Sequence, residues 1–170
     1  MELDVLLRAL EATSFATTIR ENESMFPWIE AVHVLAITLV VGSIAIVDLR
    51  LLGLASLDRA VTRLTADVLP CTWAAFAVAV ISGSLMFASN ATGYAHNTQF
   101  QVKFIFMALA GVNMAVFHLI GSRNIESWAT AQRTPMAARA AGALSLLFWV
   151  MVVAAGRWVG FTLAPVPMAG

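Results

Sequence analysis

The chain has a single cysteine, Cys71, so it cannot form an internal disulfide, and neither a CxxC pair nor a cysteine zinc cluster is available. Charge is equally scarce. Only 12% of the 170 residues are Asp, Glu, Lys or Arg, where a soluble domain carries about a quarter. Ten basic side chains are balanced by ten acidic ones, so nothing in the charge points to a nucleic-acid partner. The opening segment, MELDVLLRALEATSF, has no basic stretch followed by a long apolar core, so it does not have the form of a cleaved signal peptide. No Ser-His-Asp arrangement, glycine-rich phosphate loop or HExxH pattern occurs.

What the chain has instead is long apolar runs. Hydrophobic residues make up 60% of it, and its mean hydropathy is +0.83. Crossing a bilayer core takes about 20 mostly apolar residues per helix. Four segments meet that length: about 26–47, 68–89, 100–120 and 140–162. None alternates in the manner of a barrel strand. Helices satisfy their own backbone groups in lipid, so the spacing predicts an all-α, integral membrane four-helix bundle forming one domain over 1–170. Ahead of the first span, Leu3, Leu6, Leu7, Leu10 and Phe15 recur at helical spacing among Glu2, Asp4, Arg8 and Glu11. That pattern predicts an amphipathic helix over 1–20, lying in the membrane interface.

Basic residues set the expected topology. Arg50, Arg59 and Arg63 follow the first span, and Arg123, Arg133 and Arg139 follow the third. The segment between spans two and three and the C-terminal tail have no Lys or Arg. Both termini are therefore expected outside a bacterial inner membrane, with the two arginine loops in the cytoplasm.

Ionisable residues inside a span are costly and mark function by default. At about 1.5 Å rise per residue, an outer layer collects Glu30, His33, Lys103 and Arg157. A layer near the cytoplasm collects Asp48, Arg50, His118 and Arg123. On span one, Glu30, His33, Ile37, Ile44 and Asp48 share a face; on span three, Lys103, Met107, Gly111, Met114 and His118 do. Arg50, Arg123 and Lys103 lie near helix ends, where long side chains can snorkel towards water. His33 and His118 sit at opposite ends of parallel spans, about 15 Å or more apart in depth, and so cannot clamp one iron. A haem in the outer layer would use His33 with Lys103, with His96, or with no second ligand. His118 could serve a second site, a cofactor edge or a proton path. Met107 and Met114 are two turns apart, too dispersed for a thioether copper cluster.

Span one reads His33-VLAITLVV-Gly42 and then SIAIVDLR to Arg50, and span three reads from Lys103 through FIFMALAGVNMAVF to His118. Over about Phe26 to Phe161 this resembles a broad group of small bacterial four-helix membrane proteins. The group includes CopD-like domains of copper resistance and HemJ-type protoporphyrinogen oxidases. It also includes an uncharacterised relative with the same EAVHVLA and VDLRLLGLA wording. The HemJ-type resemblance implies a b-type haem associated with a first-span histidine and a lysine opening the third span, here His33 and Lys103. The CopD-like resemblance implies copper uptake. The chain departs from the HemJ pattern in its third span. There the second histidine is about one turn further from the lysine, and Phe100-Gln-Val-Lys103 replaces a WxxK wording.

Three functional readings follow. The first is a small b-type haem protein serving electron transfer, with His33 as iron ligand and Lys103 as second ligand or propionate partner. In it Arg157 holds a propionate, Glu30 orients the imidazole, and a redox partner supplies electrons. The second is a transporter or channel for a small solute or a metal ion such as copper, with the polar stripes as its path. The third is a structural subunit assembling through small-residue faces as a homo-oligomer or with another protein.

Overall fold

A computed structural model describes residues 2–121, 125–131 and 134–163. Among them the regular structure is helical: α1 (Glu2–Glu11), α2 (Ser14–Glu21), α3 (Met25–Leu52), α4 (Val61–Ser89), α5 (Ala91–His96), α6 (Thr98–Val116), α7 (Ile125–Trp128) and α8 (Met136–Thr162). A π-helical turn, Phe117–Gly121, extends α6. The four predicted spans correspond to α3, α4, α6 and α8, each long and apolar enough to cross a membrane. All four run beyond the predicted limits at one end or both because polar turns continue the helix past the apolar run, as Arg50 does in α3 and Arg63 and Asp67 do in α4.

The segment expected as one amphipathic helix over 1–20 is instead two. Thr13 breaks it, because its hydroxyl accepts from the Ala16 amide at 3.3 Å and caps α2. Caps recur where the chain re-enters the bundle. The Asn22 side chain accepts from the amides of Ser24 and Met25, both at 3.0 Å, and Pro27 lies in the first turn of α3. The Asn97 side chain likewise accepts from the amides of Gln99 and Phe100. α3 ends at Gly53, whose φ of 76° is the left-handed conformation that glycine adopts without strain.

α3 packs along α4 and along α8, and α8 packs along α6, giving the spatial order α4–α3–α8–α6. Small and polar residues fill these seams: Ala36, Val40 and Asp48 on α3, Ala75 and Ser82 on α4, Ala110 on α6, and Gly142, Val152 and Ala155 on α8. Large apolar side chains point outward, among them Trp28, Leu35, Ile81, Ile105, Val112 and Phe161. Water would be in contact with apolar surface on every side of such a bundle, far beyond what a monomeric soluble protein exposes. Lipid imposes no such penalty, and close packing through small residues is how membrane helices associate.

Two side-chain pairs set the register of the antiparallel α3–α4 seam. His33 meets Ser82 at 2.9 Å, and Ser43 meets Thr72 at 2.8 Å. α6 and α8 are joined by the Asn113 side chain, which donates to the Ala141 carbonyl at 2.9 Å, and by Asn97, which donates to the Thr162 hydroxyl at 3.0 Å. α4 and α6 stay apart along their length and meet through a ring stack at the α5 end, Phe87 on Phe100, with centroids 5.7 Å apart.

Candidate functional site

The site is built around His33. The Ser82 hydroxyl donates to the Val78 carbonyl of its own helix at 2.7 Å, which commits its proton. Its lone pair then accepts from Nδ1–H of His33; in the neutral ring this tautomer leaves Nε2 with an unshared pair. Gly83 makes the space. A Cβ there would come within 2.9 Å of the His33 Cε1. Ser82 and Gly83 thus act together, one holding the ring and the other admitting it.

Lys103 enters the same layer from α6. Its stem lies along Gly156 of α8, where a Cβ would sit 3.8 Å from both Cδ and Cε, and its ammonium acts electrostatically on His33. The structure therefore places His33 and Lys103 within electrostatic reach of each other. Glu30, one turn before His33, is exposed and close enough to Tyr94 of α5 for its carboxylate to act on the phenol. Tyr94 is buried beneath Phe87 and Phe100, with centroids 6.2 Å and 5.3 Å away. Burial first, and the Glu30 charge second, push its phenol above the ordinary value of 10.0. The imidazole is held from across the seam by Ser82 rather than from its own helix by Glu30.

The remaining candidates lie elsewhere. Arg157 is exposed, with its guanidinium 4.9 Å over the Phe161 ring one turn further along α8. His118 is exposed on the π turn at the opposite end, where Nδ1 donates to the Met114 carbonyl at 2.9 Å. His96 is on the surface of α5, with Nε2 3.3 Å from Asp4 of α1. Arg123 lies outside the described residues. Among the described residues no three His, Cys, Asp or Glu side chains converge.

Arg50 does not snorkel. It is fully buried, and its guanidinium donates to the carbonyls of Arg59 at 2.8 Å and of Ala129 and Ala131 at 3.3 Å each. It fastens the α3–α4 connection to the segment that precedes α8. Thr134 adds a bond from its hydroxyl to the Leu51 carbonyl. Leu51, Val61, Trp128 and Ala138 pack into a core at this end.

Ser82, Gly83 and Tyr94 were missed as site residues by sequence reasoning. The signal available for the first was a hydroxyl in the middle of a span next to a glycine, which says that something approaches closely but not what.

Fold and packing define a class: an integral membrane protein with four spans and a histidine–lysine layer near one end. Over residues 13–162 the chain matches a family described as a family of unknown function (DUF6644), and it belongs to that family. No curated protein and no solved structure matches it.

Proposed function

We propose that the protein is a small b-type haem protein of the bacterial inner membrane, serving electron transfer. The observation that carries this reading is the His33 imidazole, half-buried and oriented through Nδ1 by Ser82, with Lys103 within electrostatic reach. Iron ligands are neutral imidazoles whose other nitrogen is bonded to an orienting group, as here. The residues fit a single-histidine haem site: His33 would hold the iron, and Lys103 would pair with a propionate or supply a second ligand. When bound, the haem supplies one-electron chemistry. Ser82 fixes the ring and its tautomer, Gly83 leaves room for it, and Phe87, Tyr94 and Phe100 screen the layer from the α5 end. Neither Arg157 nor His118 joins this site; Arg157 would reach a propionate only by leaving Phe161.

The absence of three converging ligands among the described residues weighs against a metal-ion transport site built from histidine and carboxylates. The distribution of loop arginines supports both termini outside, with the α5 end and its His33 layer towards the outer face. The likeness to HemJ-type spans supports the same layer without extending to that family's oxidase activity.

The test is an absorption spectrum of the detergent-purified protein, oxidised and then dithionite-reduced, for wild type and His33→Ala. A Soret band with sharp reduced α and β bands, lost in the variant, supports the reading. A colourless wild type from haem-replete cells overturns it.

A further inference from the structure

The far end of the bundle holds a second polar feature. Asp48 of α3 is 95% buried, its side chain turned to α8, and Oδ2 has no hydrogen-bond partner among the described residues. The group that approaches it is the Ser145 hydroxyl. Gly142, one turn before Ser145, allows the close approach: a Cβ there would lie 3.0 Å from the Asp48 carbonyl oxygen and 3.1 Å from the Leu51 Cβ. Asn113 of α6 ties itself to the Ala141 carbonyl on the same stretch of α8.

Among the described residues, no cation pairs with this carboxyl. Arg50 is two residues along, but its guanidinium is directed to the carbonyls of Arg59, Ala129 and Ala131. Arg139 of α8 is exposed, as are Arg63 and Asp67 of α4, and Asp67 lies 3.9 Å from Arg59. His118, beyond α6, is exposed and bonded to Met114. An ionised carboxylate buried without a counter-charge is strongly disfavoured against its neutral acid, which also gains a donor. A metal cation would need several oxygen ligands, where this pocket brings one carboxyl and one hydroxyl. A proton needs only the carboxyl.

We infer that Asp48, with Ser145 beside it, is an intramembrane proton-binding site at the arginine-rich end of the bundle, carrying an exchangeable proton as the neutral acid. The inference stands apart from the haem reading, since it uses none of the His33 layer. The site lies at the end opposite His33 on the same helix, so it would take up or release protons on the other face of the membrane.

The experiment uses the full-length protein in proteoliposomes. Dicyclohexylcarbodiimide, an apolar reagent that modifies protonated carboxyls in lipid, is applied over a pH series and the modified residue is located by peptide mass mapping. Modification is expected at Asp48 and not at the exposed Asp67, and it should fall as pH rises. In parallel, the infrared carbonyl band of a protonated carboxylic acid is compared between wild type, Asp48→Asn and Ser145→Ala. The band should vanish in Asp48→Asn and shift in Ser145→Ala, which keeps the test open if the first variant folds poorly. A wild-type spectrum without that band overturns the inference. So does protection of Asp48 by sodium at constant pH and ionic strength, which would assign the site to an alkali ion.

Discussion

The Nδ1 of His33 lies 2.9 Å from the Ser82 hydroxyl across the α3–α4 seam, and that hydroxyl has already given its proton to Val78. That bond, with the Ala79 backbone beside it, orients the ring of the only histidine held within the interior of the bundle among the described residues. Ser82→Ala removes the hydroxyl acceptor and leaves the half-buried ring with the Ala79 backbone alone. The expected cost is about 1 kcal/mol of stability, read from thermal unfolding in detergent. If His33 binds haem iron, the same change weakens imidazole basicity and raises the midpoint potential. An unaltered potential in a red Ser82→Ala protein would separate Ser82 from the ligand.

Gly83→Ala tests the space beside the ring. The added Cβ would come within 2.9 Å of the His33 Cε1, so the imidazole or the seam must shift. Overpacking of this kind costs about 1–3 kcal/mol. Gly42→Ala, on α3 with nothing within 4 Å of its added Cβ, is the matched control and should be close to neutral. Equal losses in the two variants would argue against a cradle at Gly83.

Tyr94 is the only tyrosine, so an ultraviolet titration of phenolate reports on it alone. Its folded-state pKa lies above the ordinary 10.0, through burial first and the Glu30 charge second. The folded protein then holds the proton longer than the unfolded chain. The stabilisation is complete below about pH 10 and is lost as pH rises from there through the folded value. Glu30→Gln should bring the titration midpoint down part of the way. A midpoint that does not move would show that Glu30 is not near the phenol.

Arg50→Lys tests the internal fastening. A lysine keeps the charge but presents a single ammonium where the guanidinium spans three carbonyls on two segments. Leaving buried acceptors unpaired costs about 1–3 kcal/mol each, so this variant should unfold earlier and expose the arginine-rich end to proteolysis first. Arg63→Lys, at an exposed position of α4, should change neither.

Much of this was legible in the residues. The four apolar runs were long enough to require spans, and lipid leaves the backbone no alternative to helices at such lengths. The shared layer of His33 and Lys103 followed from rise per residue along two spans of one direction. The break at Thr13 was not legible, because an amphipathic period passes through a capping threonine without showing whether the backbone leaves the helix there. Arg50 was also misread. Its place near a helix end fitted a snorkelling head, yet the chain folds three carbonyls over it.

The sequence by itself determined the solvent this protein lives in, since apolar content and run length depend on composition and order alone. It also determined which polar groups are placed at what depth, because depth is nearly linear in residue number along a helix. Only the tertiary structure decided which way each polar group turns. Ser82 rather than Glu30 meets His33, Arg157 lies over Phe161, and Asp48 faces Ser145 with no cation paired to it among the described residues. Rotation about a helix axis is set by the neighbours that pack against it, and in helices that are apolar almost all round no single-chain period reveals which side those neighbours occupy.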